Sequence, residues 1–185
     1  MRAVGLSNET PWGLLKFLEE ARPSGGRLPR VASLQNAYSL TCRTFEVALA
    51  ECCHREGVSL LAYSPLAMGL LTGKYFQPGG APPEARLNLY RGRYAEAEGR
   101  YSFERANVRP SVLAYCQLAQ RHGMTPTELA LRFTLSHPAV ASALSGATEP
   151  AQLRELLRAA QAGGLPAEVL AEVDAVHERW PNPTP

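Results

Sequence analysis

Residues 57–65 read G-V-S-L-L-A-Y-S-P, and this stretch decides the fold class. Gly57 is a helix stop. Residues 58–63 form a short apolar run, long enough for a strand and too short for a buried helix. Ser64-Pro65 then ends the run with a polar group and a turn former. Stop, apolar strand, polar strand end: the same unit can be sought on both sides.

Upstream it occurs twice. Residues 3–6 are a short apolar strand ending in Ser7-Asn8. Thr10 is placed to cap a helix, with Pro11 at its first position. Leu14, Phe17, Leu18 and Ala21 recur at helical spacing on one face, until residues 23–26 break the helix. Residues 31–34 form the second strand, ending in Gln35-Asn36. Thr44 is placed to cap a helix that carries Phe45, Ala48, Leu49 and Cys52. Downstream, residues 66–109 hold nine Gly or Pro residues. Such a length in a compact domain marks a functional loop. Val112, Tyr115, Cys116 and Ala119 then mark a helix. Thr125-Pro126 opens another, and Pro138 ends it. Residues 139–144 are a fourth strand, ending in Ser145-Gly146-Ala147-Thr148. Pro150 opens a helix with Leu153, Leu156, Leu157 and Ala160 on one face. Val169, Val173 and Val176 describe the last helix, and residues 181–185 are an irregular tail.

Strand–helix alternation implies parallel strands and right-handed crossovers. Strands that are apolar throughout imply a sheet covered on both faces. Neither G-x-G-x-x-G nor G-x-x-x-x-G-K-[ST] occurs, so the two commonest phosphate fingerprints are absent. The alternative α/β architecture is a (β/α) barrel, whose chemistry sits just past the strand C-termini. Four strand ends here carry polar or aromatic groups, which is the pattern of a ring of ligand contacts.

The chain has 185 residues, 45% hydrophobic and 19% charged, with net charge +2. One domain is expected over residues 1–185. No apolar run reaches ~18 residues, so no membrane span is expected, and no signal-peptide pattern opens the chain. The scattered basic residues give no nucleic-acid footprint. The charge is skewed: Lys16 and Lys74 are the only lysines and Asp174 the only aspartate. A site built on paired aspartates is therefore impossible. Cys42, Cys52, Cys53 and Cys116 form no C-x-x-C. Consecutive helical side chains diverge by ~100°, so Cys52, Cys53 and His54 cannot share an ion. Reduced, partly buried thiols are expected, and His54, His122 and His137 read as surface residues.

Taken in order, V-G-L-S-N-E-T, Q-N-A-Y-S-L, A-Y-S-P-L-A-M-G-L-L-T-G-K-Y and S-G-A-T-E-P-A-Q-L resemble the C-terminal half of an aldo-keto reductase. The Tas-like and plant-type subgroup is most similar. The resemblance implies the α/β (β/α)8 TIM-barrel family, here as a half-barrel of about four parallel strands. It implies NADPH as cofactor and carbonyl reduction by hydride transfer as activity.

The same resemblance assigns cofactor contacts. Ser7, Asn8 and Gln35 match the groups that bond the nicotinamide carboxamide, which needs both donor and acceptor. Tyr63 matches the aromatic on which the nicotinamide ring stacks. Ser64, Pro65, Leu66 and Gly69 match the loop crossing the pyrophosphate. Lys74 and Arg86, backed by Arg91 and Arg93, match cations near the phosphates at an acid-poor strand end. Gly146 and Thr148 precede a helix whose N-terminus favours phosphate. Gln152 and Glu155 match the adenosine end, while Leu156 stands where the family carries an Asn that reads adenine.

The family's Asp-Tyr-Lys-His acid–base group has no counterpart motif here, so no catalytic residue is assigned and the isolated chain is expected to be inactive. Two readings stay open: a reductase chain lacking that group, or a non-catalytic nucleotide-binding half-barrel that needs a partner. Unpaired strand edges also favour self-association or poor folding. A cytoplasmic site is expected, or a plastid if a longer precursor carries a leader.

Overall fold

A computed structural model describes residues 3–22, 28–102 and 104–185; the helix break read at residues 23–26 lies outside them. The element order is β1 (Val4–Ser7), α1 (Pro11–Ala21), β2 (Val31–Ala37), α2 (Leu49–Glu56), β3 (Ser59–Tyr63), α3 (Arg86–Leu89), α4 (Ala95–Arg100), α5 (Val108–Arg121), α6 (Pro126–Ser136), β4 (Val140–Leu144), α7 (Pro150–Gln161) and α8 (Ala167–Arg179). The four strands form one sheet in the order β1-β2-β3-β4, and every pairing is parallel.

Local chemistry explains most boundaries. The Thr10 hydroxyl accepts from the Gly13 N–H at 3.1 Å, and Pro11 fills the first helical position. Thr125 does the same for α6, accepting from the Glu128 N–H at 3.1 Å. Each satisfies a donor that a helix start leaves open. Gly57 ends α2 in the left-handed conformation, φ 60°, which costs a residue without Cβ nothing. The helix read from Thr44 onward is different. Residues Thr44–Val47 form a 3₁₀ turn with no side-chain cap, and Ala48 breaks it from α2.

Register divides the sheet into two unlike faces. Leu6, Leu34, Leu60 and Val140 fall in one row. Leu34 and Leu60 there are fully buried in the core, with Leu14, Val112, Tyr115, Leu129 and Val173. The opposite face carries Gly5, Ser33 and Ser59, then Ser7, Gln35, Leu61 and Ser142, then Ala37, Tyr63 and Leu144. None of these is fully buried. The expectation of a sheet covered on both faces is therefore corrected: the second face mixes small and polar residues with Leu61, Tyr63 and Leu144 and is only partly buried. Some apolar positions of the helices are exposed as well. Phe17 on α1 and Leu153 and Leu157 on α7 share the helical spacing of core residues, yet are about half exposed.

The tail is irregular but docked. Thr184 is fully buried; its hydroxyl bonds Thr41 Oγ1 at 2.8 Å, and its N–H donates to the Thr41 carbonyl at 3.0 Å. Asn182 Oδ1 accepts from the Arg43 N–H at 2.6 Å. Arg43 in turn bonds Glu46 and Asp174 and lies 5.2 Å from the Phe133 ring centroid. His137 is no surface residue: its ring packs against Tyr38 and Phe45 at 5.3 and 5.5 Å. His122 pairs with Glu172 at 2.8 Å. The four thiols are free, and burial pushes Cys53 up to about 11.

Candidate functional site

A cleft of about 1090 Å³ opens at the C-terminal ends of the strands. That is at the upper end of the ~300–1,000 Å³ usual for small-molecule sites. Asn8, Tyr63, Ser64, Pro65, Leu66, Gly69, Lys74, Arg86, Gly146, Thr148, Gln152 and Glu155 all line it. Ser7 and Gln35 do not. Strand β2 runs on through Gln35 and Asn36 to Ala37, so Gln35 pairs with Leu61, two positions short of Tyr63, on the uncovered sheet face.

The floor is the Tyr63 ring. Its hydroxyl donates to Asn8 Oδ1 at 2.7 Å. It accepts from Arg100 Nη1 at 3.2 Å. Arg100 ends α4, in the long loop, and sequence reading did not single it out. Tyr101 beside it is 7% exposed. Burial pushes its phenol pKa up, against the opposing pull of its hydrogen bonds to Ser64 and Arg100.

The loop after β3 is held in an unusual backbone state. Ser64, Ala67 and Met68 have φ of 54°, 47° and 57°, and Asn8 has φ 55° after β1. Left-handed geometry in residues with a Cβ costs on the order of 1–3 kcal/mol each and clusters at functional sites. The surroundings impose it here. Tyr75 Oη reaches the Met68 carbonyl at 3.4 Å and accepts from the Leu87 N–H at 3.0 Å. Thr72 Oγ1 donates to the Gly69 carbonyl at 2.8 Å. At Gly69, φ 90°, a Cβ would lie 3.3 Å from Lys74 Cε, so the missing side chain keeps this side of the loop open to Lys74.

The opposite wall is the start of α7. Glu149 precedes Pro150 without giving a side-chain cap, so the first backbone N–H groups of α7 have no side-chain partner from that position. Nothing lies within 4 Å of the Cβ position of Gly146. The Thr148 N–H donates to Gln152 Oε1 at 3.1 Å, and Thr125 Oγ1 donates to Glu155 at 2.6 Å. Leu156 is buried beside them.

Charge in the cleft is mixed. Lys74, Arg86 and Arg100 line it, but so do Glu84, Glu96, Glu149 and Glu155. This corrects the acid-poor picture of the strand ends. Arg91 and Arg93 are not among the lining residues, so the third cation is Arg100. Arg86 lies 5.9 Å from the Tyr90 ring centroid and Lys74 Nζ 5.5 Å from that of Tyr75.

The arrangement combines a flat ring at one end, three cations and four carboxylates along the walls, and the start of α7 opposite. The sequence model of the Aldo/keto reductase family matches residues 1–178. The chain belongs to the aldo/keto reductase family. It is 43% identical to Protein tas of Escherichia coli over 185 residues, covering all of this chain and 50% of that protein. It is 33% identical to an aldo-keto reductase of Babesia bovis, covering 99% of this chain and 63% of that one. It is 30% identical to human aflatoxin B1 aldehyde reductase member 4, covering 96% and 54%. The chain thus spans about half to two thirds of the length of these curated family relatives. Among the described residues, no helix is long and apolar enough to cross a membrane.

Proposed function

We propose that this chain is the nucleotide-binding, C-terminal half of an NADPH-dependent carbonyl reductase. The carrying observation is the single cleft that gathers Asn8, Tyr63, Lys74, Arg86, Gly146 and Gln152 past the strand ends. When bound, the reduced nicotinamide supplies a hydride to a carbonyl carbon. The chain's own residues hold and orient that nucleotide. Tyr63 offers a ring face pinned at its hydroxyl, and Asn8 a side chain beside it. Ser7 and Gln35 sit on the open sheet face one or two residues away, where they serve the carboxamide only from the barrel interior. Lys74 and Arg86 answer phosphate charge, and the uncapped start of α7 adds backbone donors. Gln152 and Glu155 stand at the far end. Leu156 offers adenine an apolar surface and no hydrogen bond.

No acid–base group belongs to this proposal. Asp174 is engaged by Arg43 at 2.7 Å, and the Tyr63 hydroxyl is committed to Asn8. In this reading neither of them supplies the proton for the carbonyl oxygen. Losing a general acid costs ~10²–10⁴ in rate. The uncovered sheet face favours the second reading to the same extent: a nucleotide-binding half-barrel that works with a partner. A cytoplasmic setting completes the proposal.

The test is fluorescence titration of the 185-residue chain with NADPH and NADH, beside an NADPH-consumption assay with a panel of aldehydes. Tighter binding of NADPH and no consumption is expected. Equal affinities would remove the phosphate assignment, and robust turnover would show that a tyrosine in this chain acts as the acid.

A further inference from the structure

We propose that Tyr75 is a positioning residue: it fixes Arg86 relative to Lys74 and the loop after β3, and so sets the phosphate-binding cations in place before a nucleotide arrives. The inference rests on the nucleotide reading of this cleft. Residues 77–85 read Q-P-G-G-A-P-P-E-A and form neither helix nor strand. The chain between Lys74 and Arg86 therefore does little to hold them at one spacing. Helix α3, which Arg86 opens, has only four residues, too few to be stable by itself. Ala85 before it gives no side-chain cap, so the Leu87 N–H is one of the donors that a helix start leaves open.

Tyr75 answers that donor. Its hydroxyl accepts from the Leu87 N–H at 3.0 Å. The same hydroxyl donates to the Met68 carbonyl at 3.4 Å, where the backbone is left-handed. Burial raises the Tyr75 phenol, with the Leu87 bond and the Arg86 charge opposing; the neutral group can donate and accept at once. The ring serves the other cation. Lys74 Nζ lies 5.5 Å from its centroid, within cation–π range. Asn88 Nδ2 ties α3 to the Ala81 and Pro82 carbonyls at 2.9 Å, which is its own approach segment. Tyr75 ties it to the loop after β3. Lys74, Arg86 and that loop line the cleft together, and all three meet this one side chain or the backbone bonded to it. Cations held in advance spare the nucleotide the ordering of a Gly- and Pro-rich segment.

Tyr75→Phe keeps the ring and deletes the hydroxyl. In fluorescence titration of the 185-residue chain it should weaken NADPH about three- to tenfold. In an Arg86→Ala background the same change should cost less than about twofold, because it acts through Arg86. In a Lys74→Ala background it should keep its full effect, because the ring beside Lys74 is intact. Hydrogen exchange reads the bond without any nucleotide: the Leu87 amide should exchange faster in Tyr75→Phe, while the amides of α5 stay as protected as before. No binding of NADPH by the unsubstituted chain would overturn the nucleotide reading and this role with it. Binding by the unsubstituted chain, with Tyr75→Phe unchanged or equally harmful with and without Arg86, would overturn the positioning role alone. So would an unaltered Leu87 amide, or a loss of protection that reaches α5 and makes Tyr75 a support of the fold as a whole.

Discussion

The Tyr63 hydroxyl donates to Asn8 Oδ1 at 2.7 Å, and so ties β3 to the end of β1 across the strand between them. Arg100 donates to the same hydroxyl from the long loop. The ring plane is thereby set by three segments far apart in sequence. Removing either support should loosen the ring without touching its face. Arg100→Ala and Tyr63→Phe should each cost about 1–2 kcal/mol of nucleotide binding, a five- to thirtyfold loss. They act through one contact, so the double variant should lose little more than either alone. A titration series showing full additivity would count against the coupling.

Arg86 and Lys74 line the cleft together with the loop after β3. A charge-assisted contact to phosphate contributes ~1.5–3 kcal/mol. Arg86→Ala should weaken NADPH tenfold to a hundredfold, and NADH much less if the 2′-phosphate is its target. Equal losses for both nucleotides would move Arg86 to the pyrophosphate.

His137 links stability to pH. Burial lowers its pKa from the ordinary 6.5, with Arg43 adding to the effect and Glu46 opposing it. Its Nδ1 accepts from the Ala139 N–H at 3.2 Å, a bond that protonation removes. The folded state thus binds the proton less well than the unfolded chain. Stability is fully present above about pH 6.5 and falls as pH drops below it. His177 is lowered too, again by burial first, and adds in the same direction. Urea midpoints should be lower at pH 5.5 than at pH 7.5, and His137→Phe should shrink the difference. A variant with an unchanged pH slope would exclude His137 as a source.

The docked tail should matter more than its irregularity suggests. Thr184→Ala deletes a hydroxyl that bonds Thr41 in a fully buried setting. About 1–2 kcal/mol is at stake. At ~2–4 °C per kcal/mol for a chain of this size, thermal melts should show Tm lower by about 2–8 °C. No change in Tm would mean that the tail detaches in solution at little cost.

The fold was legible because its signals are local. Thr10-Pro11, Thr125-Pro126 and Gly57 mark boundaries by bonds made within a few residues, and apolar runs of strand length alternate with helical periodicity. The cleft was largely legible too, since strand ends of a parallel sheet converge on one side. What stayed hidden depends on distant partners. Arg100 sits among other arginines of the long loop, and only packing distinguishes it. Thr184 and Thr41 meet across nearly the whole chain. Gln35 was read one element too far along because β2 continues through polar residues that its neighbours hold in register. Leu153 and Leu157 obey helical spacing, but periodicity says which residues share a face, not whether anything lies against it.

The left-handed backbone at Ser64, Ala67 and Met68 also governs which sequence changes the loop can absorb. Glycine at these positions relieves the geometry, and asparagine does so at Ser64; at Ala67, which is fully buried in the core, asparagine would bury an unpaired amide. Valine or isoleucine would set a branched Cβ against the following carbonyl at roughly 1–2 kcal/mol or more per site. Backbone sterics therefore limit the side chains this loop accepts before any ligand exerts a preference. A substitution here that abolishes binding can do so by reshaping the turn, with every contacting atom elsewhere left in place.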